Sequence, residues 1–131
     1  MATRAHERFV LVWHGAESPS QVEWDDAVQV VARQTSRPLR VMVFTEGGGP
    51  SISQQQQLLQ AVKGKSPLVA VLSNHVGVRF VASSLALFMR QIRTFRTEEI
   101  SLASEHLGLD STERKAAVTF AEEQRSQAPL K

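Results

Sequence analysis

The sequence predicts an open α/β fold, in which short strands alternate with helices around a single, mostly parallel sheet. Three apolar runs support this prediction, because each has the length and β-branched character of a strand buried on both faces. The runs are residues 9–13, 39–44 and 68–72. A segment with helical spacing of apolar residues follows each run, and this alternation is typical of βαβ units.

Helical signals separate the strands. Ser20 begins a capping-box pattern with Glu23, which predicts a helix from about residue 20 to 34. Apolar spacing and stop signals predict further helices at about 53–62, 77–90, 97–107 and 111–124. Residues 92–96 alternate polar and apolar side chains, which suits a fourth strand at the edge of the sheet. We therefore expect about four mostly parallel strands with helices packed on both faces, plus an extra C-terminal helix.

The composition bounds the possible functions. The 131 residues, 42% of them hydrophobic, suit one compact domain, and 15 basic against 13 acidic residues leave a scattered net charge of +2. This balance does not indicate nucleic-acid binding. The absence of cysteine excludes disulfides, thiolate metal sites and cysteine nucleophiles. No apolar run approaches the roughly 18 residues of a membrane span, and the start lacks a signal-peptide pattern, so the expected location is the cytoplasm.

The chain divides into four predicted parts. They are a flexible leader (1–8), the α/β domain (9–109), a C-terminal helix packed on that domain (110–126) and a frayed tail (127–131). No cofactor and no metal site are predicted.

The order of elements resembles that of STAS domains, the anti-sigma-factor-antagonist type, and especially a STAS-like branch that borders lipid-binding SEC14-type domains. Three places carry the resemblance: the strand 39–44 leading into the loop 45–53, the strand 68–72 with the helix after it, and residues 92–99 with the helix ending at Leu107. The resemblance covers about residues 9–109 and lies in the pattern of elements. It implies a non-enzymatic, bacterial-type module that binds another protein in a regulatory or scaffolding role.

The glycine-rich loop is the first candidate site. In antagonists of the STAS family the corresponding loop carries an Asp-Ser-Ser-Gly type motif with a phosphorylated serine, and here that motif is absent, although Ser51 and Ser53 lie at the matching helix start. The glycines and the helix N-terminus could also hold an anion, or the stretch could be a tight turn and a helix cap. The predicted partner- or anion-binding loop comprises Thr45, Glu46, Gly47, Gly48, Gly49, Ser51 and Ser53.

A second candidate site is the crevice beyond the carboxyl ends of the strands, where open α/β sheets bind ligands. Its predicted residues are His14, Ser73, Asn74 and His75. They support an alternative function, binding of a small ligand such as a nucleotide, an anion or a lipid. A weaker third hypothesis is a hydrolase that uses Ser73 or Ser51 with a histidine, but no recognised catalytic spacing supports it, so no catalytic residue is predicted.

A third candidate is a stripe on the helix predicted at 77–90. Phe80, Ser83, Ser84 and Leu87 would form a surface for a partner protein or for a second copy of the chain, or would be buried under the C-terminal helix. The two main hypotheses differ in what lies behind the glycine loop. A deep apolar pocket there would favour the small ligand, whereas a filled core would favour the protein partner.

Overall fold

A computed structural model describes residues 1–75 and 91–127. These residues form a single sheet of five strands with four helices, which confirms the predicted α/β class. The strands are β1 (Ala2–Ala5), β2 (Phe9–His14), β3 (Arg40–Thr45), β4 (Leu68–Leu72) and β5 (Ile92–Phe95). The helices are α1 (Gln21–Arg33), α2 (Ile52–Ala61), α3 (Ile100–Leu107) and α4 (Ser111–Gln127). The helix and the stripe predicted within 77–90 lie outside the described residues.

The strands lie in the sheet in their order along the chain. The pairs β2–β3, β3–β4 and β4–β5 are parallel, with Val10 opposite Val41 and Val41 opposite Val69. Each crossover therefore steps in the same direction, and right-handed connections place α1 and α2 on one face of the sheet. The edge position predicted for the strand at 92–96 is confirmed, because β5 is the last strand of the sheet.

The predicted flexible leader is wrong for its first half. Residues Ala2–Ala5 form β1, which pairs antiparallel with β2 so that Ala2 lies opposite Trp13. Arg4 makes an ion pair with Glu123 at 2.9 Å, and Arg8 pairs with Glu113. The segment has little intrinsic strand propensity, but it covers a strand edge that would otherwise expose unpaired backbone groups.

The alternation of side chains gives the sheet two different faces. Phe9, Leu11 and Trp13 of β2 lie on the face covered by α3 and α4, which we call the α3/α4 face. Val10 and Val12 point the other way, towards α1 and α2, on the α1/α2 face. The same alternation continues in β3 and β4, so the central strands are buried on both sides as predicted.

The C-terminal helix packs on the domain as predicted. Ala117, Phe120 and Ala121 of α4 are buried against the α3/α4 face, and the Phe120 ring lies 6.2 Å from that of Phe44. Asp110 and Glu113 form a reciprocal cap at the start of the helix, in which each side chain accepts from the other residue's backbone N–H. The helix runs to Gln127, beyond the end predicted at about residue 124, so residue 127 is helical and not part of a frayed tail. Residues 128–131 lie outside the described residues.

Helix α3 differs from prediction at its start and agrees at its end. The helix predicted from about residue 97 begins at Ile100 without a side-chain cap, and the Glu99 carboxylate accepts from the Arg96 N–H. Gly108 ends the helix in the left-handed conformation, which agrees with the end predicted at about residue 107. Among residues 1–75 and 91–127, every helix is too short or too polar to cross a lipid bilayer.

Candidate ligand cavity at the strand ends

A cavity of about 530 Å³ lies on the α1/α2 face of the sheet, and among the described residues helices α1 and α2 contribute to its wall. Its size is within the range of about 300–1,000 Å³ that is usual for small-molecule sites. The body of the cavity is lined by aliphatic side chains: Val12, Ala27, Val28, Val31, Val41, Val43, Leu58, Val62, Val69, Val71 and Ile92. Within the described part of the chain, no Asp, Glu, Lys or Arg side chain lines it, but Met1 does, and the amino terminus at Met1 pairs with the Glu23 carboxylate at 3.1 Å.

The choice of residues on the two faces explains why space remains on one of them. The three central strands contribute larger side chains to the α3/α4 face, including Phe9, Trp13 and Phe44. On the α1/α2 face the same strands contribute mostly valine, whose short side chain reaches less far from the sheet. Helix α2 adds only Leu58 and Leu59 as partly buried hydrophobic residues. Short side chains from the sheet meet a polar helix, and a gap is left between them.

Polar groups gather at the end of the cavity that lies beside the glycine loop. His14 and Thr45 are the last residues of β2 and β3 and lie opposite one another in the parallel register. Both line the cavity, together with Ser18, His75 and the loop itself. The His75 ring lies about 3.5 Å from the position that a side-chain carbon on Gly47 would occupy. The cavity therefore has an apolar body and one polar end.

The glycine loop is a tightly bonded turn. The Gly47 N–H donates to the Thr45 hydroxyl at 3.1 Å, and that hydroxyl donates to the Gly48 carbonyl at 2.5 Å. Gly47 has a φ of 119°, which only glycine adopts readily. The Gly48 N–H donates to the Gly15 carbonyl, which joins the glycine loop to the loop after β2. Gly47 and Gly48 thus meet backbone requirements, as the tight-turn alternative predicts, and the loop also forms a cavity wall.

The start of α2 is hydrogen-bonded to α1 and to the residues just before it. Ser51 is the N-cap and forms a capping box with Gln54, which confirms a capping role for one of the two candidate serines. Gln54 is buried, and its side-chain amide donates to the Pro19 carbonyl. The Trp24 indole N–H donates to the Gln54 carbonyl at 3.0 Å. Ser53 is exposed, as is Glu46.

His14 is the most unusual polar residue of the cavity. Its side chain is only 4% exposed, its ring stacks near that of Trp24 at 6.1 Å, and it lines the cavity. Within residues 1–75 and 91–127, nothing accepts from or donates to its Nδ1 atom. Burial lowers the pKa of His14 to about 4, and the chain's amino terminus adds to this while Glu23 opposes it. His14 is therefore neutral at physiological pH.

This depressed pKa predicts a loss of stability in mild acid. The unfolded chain binds a proton at His14 near the ordinary pKa of about 6.5, whereas the folded protein resists protonation down to about 4, so stability falls as the pH falls through this window. Between about pH 7.5 and about pH 5 the contribution of His14 amounts to about 2 kcal/mol. Urea unfolding of wild type and His14→Phe at both pH values measures it. Parallel pH dependence of the two proteins would contradict the prediction.

The four predicted crevice residues do not form one cluster. His14 and His75 line the cavity, whereas the Asn74 amide donates to Thr97 at 2.8 Å and its carbonyl accepts from the Thr97 N–H, which ties the loop after β4 to the loop after β5. Ser73 is buried, and its hydroxyl accepts from the His75 backbone N–H at 3.1 Å.

The geometry does not assemble the groups that the hydrolase hypothesis needs. In the described residues the Ser73 hydroxyl bonds to backbone and the Ser51 hydroxyl caps α2, so neither is hydrogen-bonded to a histidine ring. Nor do three His, Asp or Glu side chains come together as a metal site in those two ranges. Trp24 and the valines of the α1/α2 face are cavity residues that the sequence prediction of a site missed.

No protein-family model matches the sequence, and neither the curated proteins nor the solved structures include a match. What the chain binds or does has therefore to be inferred from its fold and its cavity.

Proposed function

We propose that this protein binds a small, mainly apolar ligand in the cavity between the α1/α2 face and helices α1 and α2. The observation that carries the proposal is the cavity itself, about 530 Å³ with aliphatic walls in a chain of 131 residues. A concave apolar surface of this size that is left in contact with water is unfavourable, and pockets of this kind are the usual binding sites of small molecules. A ligand that fills the pocket removes this apolar surface from water.

The walls of the cavity favour one of the three ligand types that the sequence suggested, which are a nucleotide, an anion and a lipid. Nucleotides and free anions carry phosphate or other charge, which proteins bind with Lys, Arg or clustered backbone N–H groups. The described walls contain no Lys or Arg side chain, and the amino terminus of the wall residue Met1 already pairs with Glu23. Two loop N–H groups, those of Gly47 and Gly48, already donate within the protein. A lipid-like or other apolar ligand suits these walls better than a charged one.

A second candidate is a protein contact at the same edge of the sheet, as the STAS resemblance implies. Val22 and Ile52 are 72% and 75% exposed, and both lie in the first turn of a helix that begins at the carboxyl edge of the sheet. Exposed apolar side chains favour contacts with other molecules. The STAS relationship, a regulatory role, a homodimer and a cytoplasmic location remain predictions.

Filling the cavity is expected to abolish ligand binding. Val43 lies on the central strand β3, is half-buried and lines the cavity, so Val43→Phe places a ring in the space that the ligand needs. We expect N-phenyl-1-naphthylamine, an uncharged fluorescent probe, to bind wild type and to bind Val43→Phe at least about tenfold more weakly. Titration of the probe fluorescence measures both affinities.

Val43→Ala is the matched control, because it changes the same position but enlarges the cavity instead of filling it. It should keep probe affinity within about fivefold of wild type, since only two methyl groups of wall are lost. Trp24 lines the cavity whereas Trp13 lies on the α3/α4 face, so quenching of tryptophan emission in a Trp13→Phe background gives an independent readout. The absence of saturable binding to wild type would overturn the proposal, and equal affinity for Val43→Phe would place the probe elsewhere.

A further inference from the structure

We infer that the amino edge of the sheet, where strands β2 to β5 begin, binds the surface of an anionic lipid bilayer. The contact is made by four basic residues on the α1/α2 side of this edge, which we call the basic edge: Arg33, Arg37, Lys63 and Lys65. The positive charge of the basic edge does not depend on the cavity, whereas the choice of a bilayer as the partner rests on the proposed function.

The net charge of +2 conceals an uneven distribution of charge along the chain. Residues 27–97 contain nine Lys or Arg residues and one acidic residue, Glu46. Glu46 follows the last residue of β3, so it lies at the carboxyl edge, opposite the basic edge. The structure does not describe residues 76–90, but their sequence contains no Asp or Glu, so they bring no negative charge to the basic edge.

Hydrogen bonds hold the loops of the basic edge together as one surface. The Lys65 ammonium donates to the carbonyl of Gln34, the residue that ends α1, at 2.9 Å. The backbone N–H of Leu39 donates to the Lys65 carbonyl, and that of Leu68 donates to the Leu39 carbonyl. The loop after α1 and the loop after α2 therefore lie side by side, which brings basic residues from distant parts of the sequence together.

The charge of the basic edge is available to a partner. Arg33, Arg37 and Lys63 are exposed, and the half-buried Lys65 ammonium donates to a carbonyl, which carries no net charge. Within residues 1–75 and 91–127, none of the four forms an ion pair. The helix dipole accounts for Arg33 and Lys63, which lie at the ends of α1 and α2. It does not account for Arg37 and Lys65, which lie in the loops.

The acidic residues of the amino edge gather on its other half. A side-chain hydrogen bond to Glu113 raises the pKa of Arg8, and the charges of Glu113, Asp110 and Glu7 add to this effect. These groups lie around Arg8 and the start of α4, the helix that packs on the α3/α4 face. The half of the edge beside α1 and α2 therefore keeps its positive charge.

The cavity reaches the same half of the amino edge. Val62, which ends α2, and Pro67, which precedes β4, both line the cavity, and Lys63 and Lys65 lie between them in the chain. The first residue of β5, Ile92, also lines it. A basic surface and the end of an apolar cavity thus lie side by side.

A bilayer matches both of these neighbouring features. Clusters of about four or more basic residues are attracted to anionic lipid surfaces, and the hydrocarbon layer beneath holds apolar molecules of the kind that the cavity suits. A nucleic acid or an acidic peptide would supply the negative charge but no apolar ligand. A protein bound through the basic edge places one end of the cavity at the source of its ligand.

Co-sedimentation with lipid vesicles tests the inference. We expect wild type to bind vesicles of phosphatidylcholine containing about one third phosphatidylglycerol, and not vesicles of phosphatidylcholine alone, because only the former are anionic. Raising NaCl from about 0.05 M to about 0.5 M should weaken binding at least about tenfold, since exposed charges are screened by salt. Failure of wild type to bind the anionic vesicles at the lower salt concentration would overturn the inference.

Neutralising the basic edge should abolish most of this binding. In the double variant Arg37→Gln, Lys63→Gln, affinity for the anionic vesicles should fall about thirtyfold, since each basic residue near an anionic lipid surface contributes about fivefold. Both side chains are exposed, so the core is unchanged.

The matched control is Arg96→Gln with Arg125→Gln, which removes the same charge from the opposite end of the molecule. Arg96 follows the last residue of β5, and the Arg125 guanidinium lies 5.8 Å from the ring centre of Trp13, near the carboxyl end of β2. Both are exposed. This variant should bind the anionic vesicles within about threefold of wild type, because its substitutions lie more than a Debye length of about 10 Å from the bilayer. An equal loss in the two double variants would overturn the inference, since binding would then follow net charge and not the basic edge.

Two further measurements separate the partner and the proposed function. Tighter binding of wild type to polyuridylate or polyglutamate than to the anionic vesicles would overturn the inference in favour of a soluble polyanion. The affinity for N-phenyl-1-naphthylamine without vesicles should be unchanged in Arg37→Gln, Lys63→Gln, because neither residue lines the cavity. If the probe does not bind wild type while vesicle binding follows the basic edge, the proposed function fails and the membrane contact stands. If the probe binds and the anionic vesicles do not, only the membrane inference fails.

Discussion

Replacing Gly48 with alanine is expected to lower the free energy of unfolding by about 3 kcal/mol. A side-chain carbon at this position would come within 2.1 Å of the Glu17 carbonyl oxygen and 2.6 Å of that of Gly15. Both are backbone atoms, so the clash is relieved only if the loop after β2 moves away from the glycine loop. That movement breaks the bond from the Gly48 N–H to Gly15 and displaces the polar end of the cavity.

Gly49→Ala is the matched control for this substitution. Its added carbon would meet no atom within 4 Å, and neither Gly48 nor Gly49 is among the glycines with a positive φ. The two variants therefore differ in available space and not in backbone strain, and Gly49→Ala should change stability by less than about 1 kcal/mol. Urea unfolding followed by circular dichroism measures both. Equal stability of the two variants would show that the two loops are not in close contact.

Replacing Phe120 with alanine is expected to cost about 4 kcal/mol of stability while leaving ligand affinity unchanged. Phe120 is 1% exposed, packs between α4 and the α3/α4 face, and has the Arg4 guanidinium 5.1 Å from its ring centre. Its removal leaves a void in the core between α4 and the sheet. The cavity lies on the opposite side of the sheet, so its walls keep their positions.

Thr119→Ala, on the exposed side of the same helix, is the control and should alter stability by less than about 0.5 kcal/mol. Thermal or urea unfolding gives the stability of the three proteins, and probe titration under conditions where each is fully folded gives the affinity. A Phe120→Ala protein that is folded but has lost probe binding would show that the two faces of the sheet are coupled.

The elements could be predicted from the sequence because their signals are local. The capping box at Ser20, the apolar run of β4 and the left-handed stop at Gly108 each depend on a few neighbouring residues, and all three are where the pattern predicts. Strand β1 could not be predicted in this way. Residues Ala2–Ala5 have no strand-like pattern, and they are extended because they pair with an edge that exists only once β2 is in place.

The site was predicted in part. The strand-end position of His14, the cavity contact of His75 and the cap at Ser51 follow from topology and helix signals. The cavity could not be predicted, because whether a valine fills the space beside it depends on the side chains of the helix that packs on the same face of the sheet. A signal was nevertheless present, since valine occupies one face of β2 and β3 while Phe44 and other large residues occupy the opposite face.

Trp24 has a consequence for how a molecule reaches the cavity. Its indole N–H holds the Gln54 carbonyl, and on the outer surface the Gln57 amide donates to Asp25 while Gln21 donates to Gln57. Helices α1 and α2 are thus joined by side-chain hydrogen bonds both in the buried layer and on the outer surface. If α1 moves away from the sheet, these bonds require the first turns of α2 to move as well, so the two helices behave as one unit. A ligand that enters between these helices and the sheet therefore displaces α1 and α2 together and not one of them alone.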